Sequence, residues 1–301
     1  MSEKVIKSYK GFDKDMQCRD FQYEVGKEYN MDGEIKCCNR GFHACKSPLE
    51  VWDYYDMLNS RFAEVEQSGK IDEEEKSTKV CSSHIKIKAE LKLADIINIG
   101  VEWLKDITSP SKVKTDGALN DNGGRKKQIG SSGDSAQIGS SGYSAKIGSS
   151  GDSAKIGSSG YSAKIGSSGD SAQIGSSGYS AQIGSSGYSA KIGSSGYSAK
   201  IGSSGDYAKI GSSGDSAQIG SSGDYAQIDS TGEDSVIMCA GDNSKAKAKV
   251  GSWITLAEWK WSDEKKRNVP VYVKTEYVDG ENIKADTWYQ LKNGKFVEVA
   301  E

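Results

Sequence analysis

At 301 residues the chain has room for two ordinary domains, and its formal net charge of −3, from 39 basic and 42 acidic side chains, excludes both the basic footprint of a nucleic-acid binder and the acidic surface of a nucleic-acid mimic. No apolar run follows the start Met-Ser-Glu-Lys-Val-Ile-Lys, and no stretch is long and apolar enough to span a bilayer, so neither a signal peptide nor a membrane segment is expected. The six cysteines include the adjacent pair Cys37 and Cys38; without a secretory context they are expected as reduced thiols in a cytosol.

Residues 1–115 are expected to form a compact α+β domain. Lys4 to Phe12 and Phe21 to Val25 alternate like strands. Ser47-Pro48-Leu49-Glu50 joins a capping box to a proline at the first helical position, and Val51, Trp52, Tyr55, Leu58 and Phe62 follow at helical spacing. Residues 68–79 read as an acidic loop. His84 to Leu93 reads as a half-buried strand, with Ile85, Ile87, Ala89, Leu91 and Leu93 inward. Thr108-Ser-Pro-Ser-Lys112 reads as a linker, and Arg125-Lys126-Lys127 as a solvated basic spot at the entrance to a long repeat.

From Ile129 to Gln227 the chain is eleven nine-residue units without insertion or deletion, each opening Ile-Gly-Ser-Ser-Gly and closing Asp/Tyr-Ser/Tyr-Ala-Lys/Gln. So short and faithful a period predicts a solenoid. Nine residues hold about one strand and one turn. In Tyr143-Ser144-Ala145-Lys146-Ile147 the alternation puts Ala145 and Ile147 in a narrow core and Ser144 and Lys146 outside. The turn Gly148-Ser149-Ser150-Gly151 is expected to use its two glycines for positive φ and close backbone approach.

The Asp/Tyr position sets the coil length. Along the units it agrees in 4 of 10 neighbouring pairs, in 6 of 9 pairs two apart and in 1 of 8 pairs three apart. The coil is therefore expected to contain two units, or 18 residues. Such a coil stacks Tyr143, Tyr161, Tyr179 and Tyr197 in one ladder and Asp134, Asp152 and Asp170 in the ladder opposite. Tyr207 and Tyr225 also lie 18 apart. At about 4.8 Å per coil, degenerate units at both ends give about seven coils and a rod of roughly 35 Å, whose open ends must be covered. After Gln227 the repeat decays. Val278-Asp279-Gly280-Glu281 and Lys292-Asn293-Gly294-Lys295 carry hairpin-turn signals, and Trp253, Trp259, Trp261 and Trp288 are expected to bury over the last coil. The domain organisation is thus 1–115, an N-terminal α+β domain; 116–254, the solenoid with its perfect repeats at 129–227; and 255–301, a C-terminal β cap. The fold class is mainly β: a parallel β-solenoid flanked by these two segments.

The Gly-Asp-x-Ser and Gly-Tyr-x-Ser steps, followed by Gly280-Glu-Asn-Ile-Lys-Ala-Asp-Thr-Trp-Tyr289, resemble the repeats and cap of bacterial ice-nucleation β-solenoids. The chain departs from them in its longer coil and in lacking their Thr-x-Thr rows. A row bearing Lys146, Lys164 and Lys200 is a poor ice template. Tyr9-Lys-Gly-Phe12 and Gly41-Phe-His-Ala-Cys-Lys-Ser-Pro-Leu-Glu-Val-Trp-Asp-Tyr-Tyr55 are similar to an uncharacterised domain found beside such repeats in phage and prophage proteins of Gram-positive bacteria.

Three chemistries compete with a purely structural reading of the residues. Cys37-Cys38-Asn-Arg-Gly-Phe-His43-Ala-Cys45, joined by Cys18, has short zinc-type spacings but lacks a paired C-x-x-C. Tyr9-Lys10-Gly11, Gly41-Phe-His-Ala with Ser47, and Tyr54-Tyr55 resemble pieces of ADP-ribosyltransferase motifs, for which Glu90 is the strand-borne candidate glutamate. The repeat Asp positions resemble calcium-binding nonapeptides, but Ser stands where a second Asp is needed, and the Asp ladder can cap its own turns locally. The expectation is a non-enzymatic protein with no cofactor, metal or catalytic set. It would present Tyr143, Tyr161, Tyr179, Tyr197, Lys146, Lys164 and Lys200 to a protein or nucleoprotein partner in the host cell cytoplasm, such as a defence complex it inhibits, without sequence-specific nucleic-acid or membrane binding. The alternatives are an ADP-ribosyltransferase-like enzyme on a solenoid scaffold, or an ice-binding or structural virion protein.

Overall fold

The computed structural model describes residues 4–74, 77–108, 118–121 (backbone only) and 128–300. Arg125-Lys126-Lys127 and the Ser109–Lys112 part of the expected linker lie outside the described residues. The chain divides into two compact units, Met1–Trp103 and Leu104–Glu301. Among the described residues no helix is long and apolar enough to cross a membrane.

The first unit is built on strands β1 (Ile6–Phe12), β2 (Gln17–Cys18), β3 (Phe21–Gln22), β4 (Glu28–Asn30), β5 (Phe42–Cys45), β6 (Arg61–Glu73) and β7 (Lys79–Leu91). The pairings β5–β1, β1–β6, β6–β7 and β7–β5 close a ring of four antiparallel strands, and β4 adds to β7. The ring encloses Phe12, Tyr23, Phe42, Val65, Ile85 and Ile87. It also encloses a polar knot. Gln67 Nε2 donates to the Phe42 and Val80 carbonyls and to Ser82 Oγ, while its Oε1 accepts from Ser8 Oγ at 2.6 Å.

Four local expectations are corrected here. The segment 68–79 is largely strand, because β6 and β7 form a long hairpin. Ala89 is exposed although Ile85 and Ile87 are fully buried: the register shift at Glu64/Val65 inserts Lys88 and reverses the alternation. The capping-box helix is only a 3-10 turn, Leu49–Asp53. Its Glu50 carboxylate turns away from the helix start to accept from the Thr78 N–H and hydroxyl at 2.9 and 3.0 Å. The α-helix of the unit lies later, α1 (Leu93–Ile107), with Ile96, Ile97, Val101 and Leu104 buried at helical spacing.

In the second unit, strands β8 (Ala118–Asp121) to β22 (Lys245–Ala248) are each four residues long; from β9 (Gln128–Ser131) to β22 each pairs in parallel with the strand 18 residues away, and β8 pairs with β10 at an offset of 19. Even-numbered strands form one sheet and odd-numbered strands the other. The 18-residue coil therefore stands. Strands β9 to β19 each read Lys/Gln-Ile-Gly-Ser. Ala, Ile and the first Ser of each unit point inward, so the core is a ladder of Ile129 to Ile228 with Ala rows beside it. The strand thus starts later than Tyr143 and takes in Gly148 and Ser149.

The glycines divide their labour differently from the sequence expectation. Neither repeat glycine has positive φ; Ser135, Ser153 and Ser171 take that conformation. The second glycine is needed for approach: a Cβ on Gly151 would stand 2.0 Å from the Gly133 carbonyl oxygen.

The last coil is followed by β23 (Trp253–Ser262), β24 (Arg267–Tyr277), β25 (Tyr289–Lys292) and β26 (Lys295–Glu298), two antiparallel hairpins that continue one sheet each. Asn293-Gly294 makes the expected tight turn, both residues at positive φ. Asp279-Gly280 does not: Asp279 Oδ1 accepts the N–H groups of Glu281, Asn282 and Ile283 in a wider loop. Trp288 is buried, but Trp253 and Trp261 are exposed, because Trp253 falls in the outward register of its sheet opposite Val236.

Candidate functional site

The odd-numbered sheet has an outer face made of two rows. The first runs Gln128, Lys146, Lys164, Gln182, Lys200, Gln218, Val236, Trp253, Tyr277 in continuous register. The second runs Gly130, Gly148, Gly166, Gly184, Gly202, Gly220, Met238, Thr255, Thr275. The six glycines have no side chain to offer, and a Cβ there would meet nothing within 4 Å. The face is therefore a straight trough walled by lysine and glutamine stems. It ends at an apolar group, Val236, Met238, Trp253 and Tyr277, each 43–54% exposed, with the Trp253 and Tyr277 rings 5.0 Å apart.

Tyr143, Tyr161, Tyr179 and Tyr197 stack along the corner from which these strands start, with centroids 5.0–5.1 Å apart. All seven sequence-selected residues thus border one face. Sequence reading missed the glycine floor and the apolar end. The signal for both was present: the outward position of the Ile-Gly step and its replacement by Met in Val236-Ile237-Met238. On the other corner Asp134 and Asp152 accept, through Oδ1, the N–H of the residue one coil above at 3.1 and 2.9 Å. The carboxylates thus cap between coils, not within their own turn.

The first unit holds a cavity of about 890 Å³. Three segments far apart in sequence line it: Tyr9-Lys10-Gly11 from β1, Gly41 to Cys45 from β5, and Tyr54-Tyr55 from the turn beyond the 3-10 segment. Gly11 is required where it stands, because a Cβ there would lie on the Tyr55 ring. Gly41, with φ +132°, has its open side against Cys81 Sγ. Residues 6–99 match a known family, the domain of unknown function DUF7666. No curated protein and no solved structure matches the chain.

Inside the DUF7666 domain the three ADP-ribosyltransferase-like pieces come together, but Glu90 does not join them. Its carboxylate grips the Arg61 guanidinium through two bonds of 2.6–2.7 Å, and it is not among the cavity-lining residues. The acids that line the cavity are Asp13 and Asp56, and each spends one oxygen on N–H groups of its own turn. Among the described residues no three His, Cys, Asp or Glu side chains gather for a metal ion. His43 Nε2 accepts the Cys38 N–H at 3.0 Å. Burial first, and then the neighbouring Lys10 and Arg19 side chains, lower the His43 pKa.

Proposed function

We propose that the chain is a non-enzymatic β-solenoid interaction protein that binds a macromolecular partner along the trough of its odd-numbered sheet. The observation that carries this reading is the convergence, on one face, of a side-chain-free floor, a lysine and glutamine wall, a tyrosine ladder and a terminal Trp253–Tyr277 pair. A flat, regular surface with aromatic anchors at one end matches what protein interfaces use. Tyr and Trp give large contact area at low entropic cost and concentrate binding energy. Lys146, Lys164 and Lys200 favour an acidic surface opposite.

The likeness of the N-terminal segment to domains of phage and prophage proteins supports a phage or prophage origin. The partner is then a host protein or nucleoprotein assembly in the cytoplasm, for example a defence complex whose activity the binding blocks. The test is affinity capture from host lysate with the full chain, in parallel with Lys146→Glu/Lys164→Glu/Lys200→Glu and with Trp253→Ala/Tyr277→Ala. A stoichiometric partner retained by the wild type and lost by both variants is expected. Retention by both variants, or no stoichiometric partner, refutes the reading.

A further inference from the structure

The solenoid reading leaves the DUF7666 cavity unused, and the chemistry at its base is specific. Lys10 is only 3% exposed. Among the described residues its Nζ has no carboxylate partner. It meets Cys18 Sγ at 3.4 Å and the His43 carbonyl at 3.1 Å, between the rings of Phe12 and Tyr23 at 5.4 and 5.3 Å. On the thiol's other contact, the Tyr55 hydroxyl lies 2.9 Å from Cys18 Sγ. Lys10, Cys18 and Tyr55 all line the cavity, and Cys18 is partly exposed.

A buried ammonium without a counter-charge is unfavourable. The contact at 3.4 Å sets the Cys18 thiol directly against that group. Burial accordingly lowers the Lys10 pKa, with the Cys18 contacts opposing.

We propose that the cavity is a covalent binding site for activated alkenes (α,β-unsaturated carbonyl compounds), with Cys18 as the nucleophile, Lys10 as its proton partner and Tyr55 as hydrogen-bond donor to the sulfur. The Cys18 thiol proton passes to the Lys10 amine. The sulfur forms a bond to the β-carbon, the alkene π pair moves to the carbonyl as an enolate, and Lys10 returns the same proton to the α-carbon. Nothing leaves and no co-reactant is needed. Acyl transfer fits less well, since turnover would need a base to activate water, and the imidazole in this cavity has its Nε2 lone pair committed to Cys38.

The ligand's other features follow from the walls. Phe21, Tyr23, Phe42 and Tyr54 favour an aromatic or flat apolar body. The exposed Arg19 and Arg40 at the rim favour an anionic group, because Asp13 and Asp56 already bond their own turns.

The test uses the full chain and two probes, 4-maleimidobenzoate and its neutral counterpart N-phenylmaleimide, with peptide mass spectrometry following each cysteine. The reference for each thiol is the same cysteine in the guanidinium-unfolded chain. Cys18 is expected to react at least about tenfold faster folded than unfolded, and faster than the more exposed Cys38. The acceleration should be larger for the carboxylate-bearing probe. Lys10→Met should abolish it, and Tyr55→Phe should reduce it. A Cys18 rate at or below the unfolded reference overturns the proposal with no variant required, so it stays decidable if Lys10→Met does not fold. Acceleration that survives in a folded Lys10→Met chain also overturns it, and equal acceleration by the two probes overturns its anionic part.

Discussion

Two glycines three residues apart in one coil should respond oppositely to the same substitution. Gly169 sits where successive coils touch: a Cβ there would stand 2.0 Å from the Gly151 carbonyl oxygen and 3.0 Å from the Asp152 nitrogen. Relief requires the corners of the two coils to part, which costs about 1–3 kcal/mol as an overpacked contact. It also loosens the bonds flanking the contact, Ser168 N to Ser149 O at 3.0 Å and Asp170 N to Asp152 Oδ1 at 2.9 Å, at about 1 kcal/mol each. Gly169→Ala should therefore destabilise the chain by about 3–5 kcal/mol. Gly166 belongs to the open trough, where a Cβ meets nothing within 4 Å and φ is not positive. Gly166→Ala should stabilise by about 0.4–1 kcal/mol through the unfolded state. Urea unfolding of both variants, followed by far-ultraviolet circular dichroism, should separate them by roughly 3.5–6 kcal/mol. Equal destabilisation would refute the assignment of inter-coil contact to the second glycine alone.

The two inward serine rows should also differ. Ser158 Oγ accepts the Gly160 N–H at 3.3 Å, whereas Ser167 Oγ is buried with no hydrogen-bond partner. Ser158→Ala should cost about 1 kcal/mol, and Ser167→Ala should cost nothing or stabilise, by the same denaturation assay. Gln67→Leu should destabilise by roughly 2–5 kcal/mol, because it removes the acceptor of Ser8 Oγ and the donor to Ser82 Oγ and two carbonyls inside the ring of strands; a loss under about 1 kcal/mol in a thermal melt would show that the knot is dispensable. Asp229 is paired with Lys247 at 3.2 Å, yet burial pushes its carboxyl up to about 6. This folded value lies above that of the unfolded carboxyl, about 3.9. The site's stabilising contribution is therefore complete below about pH 4 and is lost as pH rises through about 6, by roughly 2–3 kcal/mol. Asp229→Asn should gain on the wild type by that amount between pH 4 and pH 7, and unfolding free energies that run parallel over the range would exclude it.

The solenoid was legible in the chain because its constraint repeats: a two-unit coil forces like residues into register, and the Asp/Tyr alternation exposes that register without any structure. The corner conformation was not legible. Both glycine positions carry the same residue, so composition cannot tell the open floor from the inter-coil contact. In the DUF7666 domain the failures share a cause, which is that long-range partners override local signals. Glu50 is a capping-box residue by spacing but is captured by Thr78, 28 positions away. Ala89 follows the strand period until a shift against β6 reverses it. Nothing in the strand pattern of Lys4 to Phe12 marks Lys10 as buried, and the folded domain leaves it only 3% exposed. Helix α1 was readable from Ile96, Ile97, Val101 and Leu104 but is masked by its overlap with the strand pattern that ends at Leu93. The segments holding Tyr9, His43 and Tyr55 stood out by motif likeness, but their grouping around one cavity and the Lys10–Cys18–Tyr55 contact come only with the folded strands.

The corner residues also select between two turns: the turn is closed only where both stacked residues are tyrosine and is left-handed elsewhere in the repeat, as at Ser171 beside Asp170 and beneath Tyr188. Over Tyr143 and Tyr161 the turn is closed: Ala145 N donates to Gly142 O and Ala163 N to Gly160 O, and the bond between coils runs from the upper chain to the lower, Ser162 N to Tyr143 O. In the Asp corner the direction reverses. Ser153 N, at positive φ, donates up to Asp170 O, while Asp152 Oδ1 takes the Asp170 N–H. The strain of a left-handed serine, about 1–2 kcal/mol, is offset by a charge-assisted bond of about 1.5–3 kcal/mol. The Tyr corner obeys the same rule at its upper end. Ser198, beside Tyr197 but beneath Asp215, has φ 48° and donates to Asp215 O, and the Tyr179 and Tyr197 rings tilt to 23° where the lower pairs lie within 6°. Asp215→Tyr should therefore return Ser198 to negative φ and extend the stack by one ring. The gain of about 1 kcal/mol from stacking is largely cancelled by loss of the Asp215 Oδ1 bond to the Glu233 N–H at 2.8 Å, so stability is a poor readout. The sign of φ at Ser198 in a crystal structure of the variant is a good one: a serine that stays left-handed beneath the introduced ring would refute the rule that two stacked tyrosines close the turn.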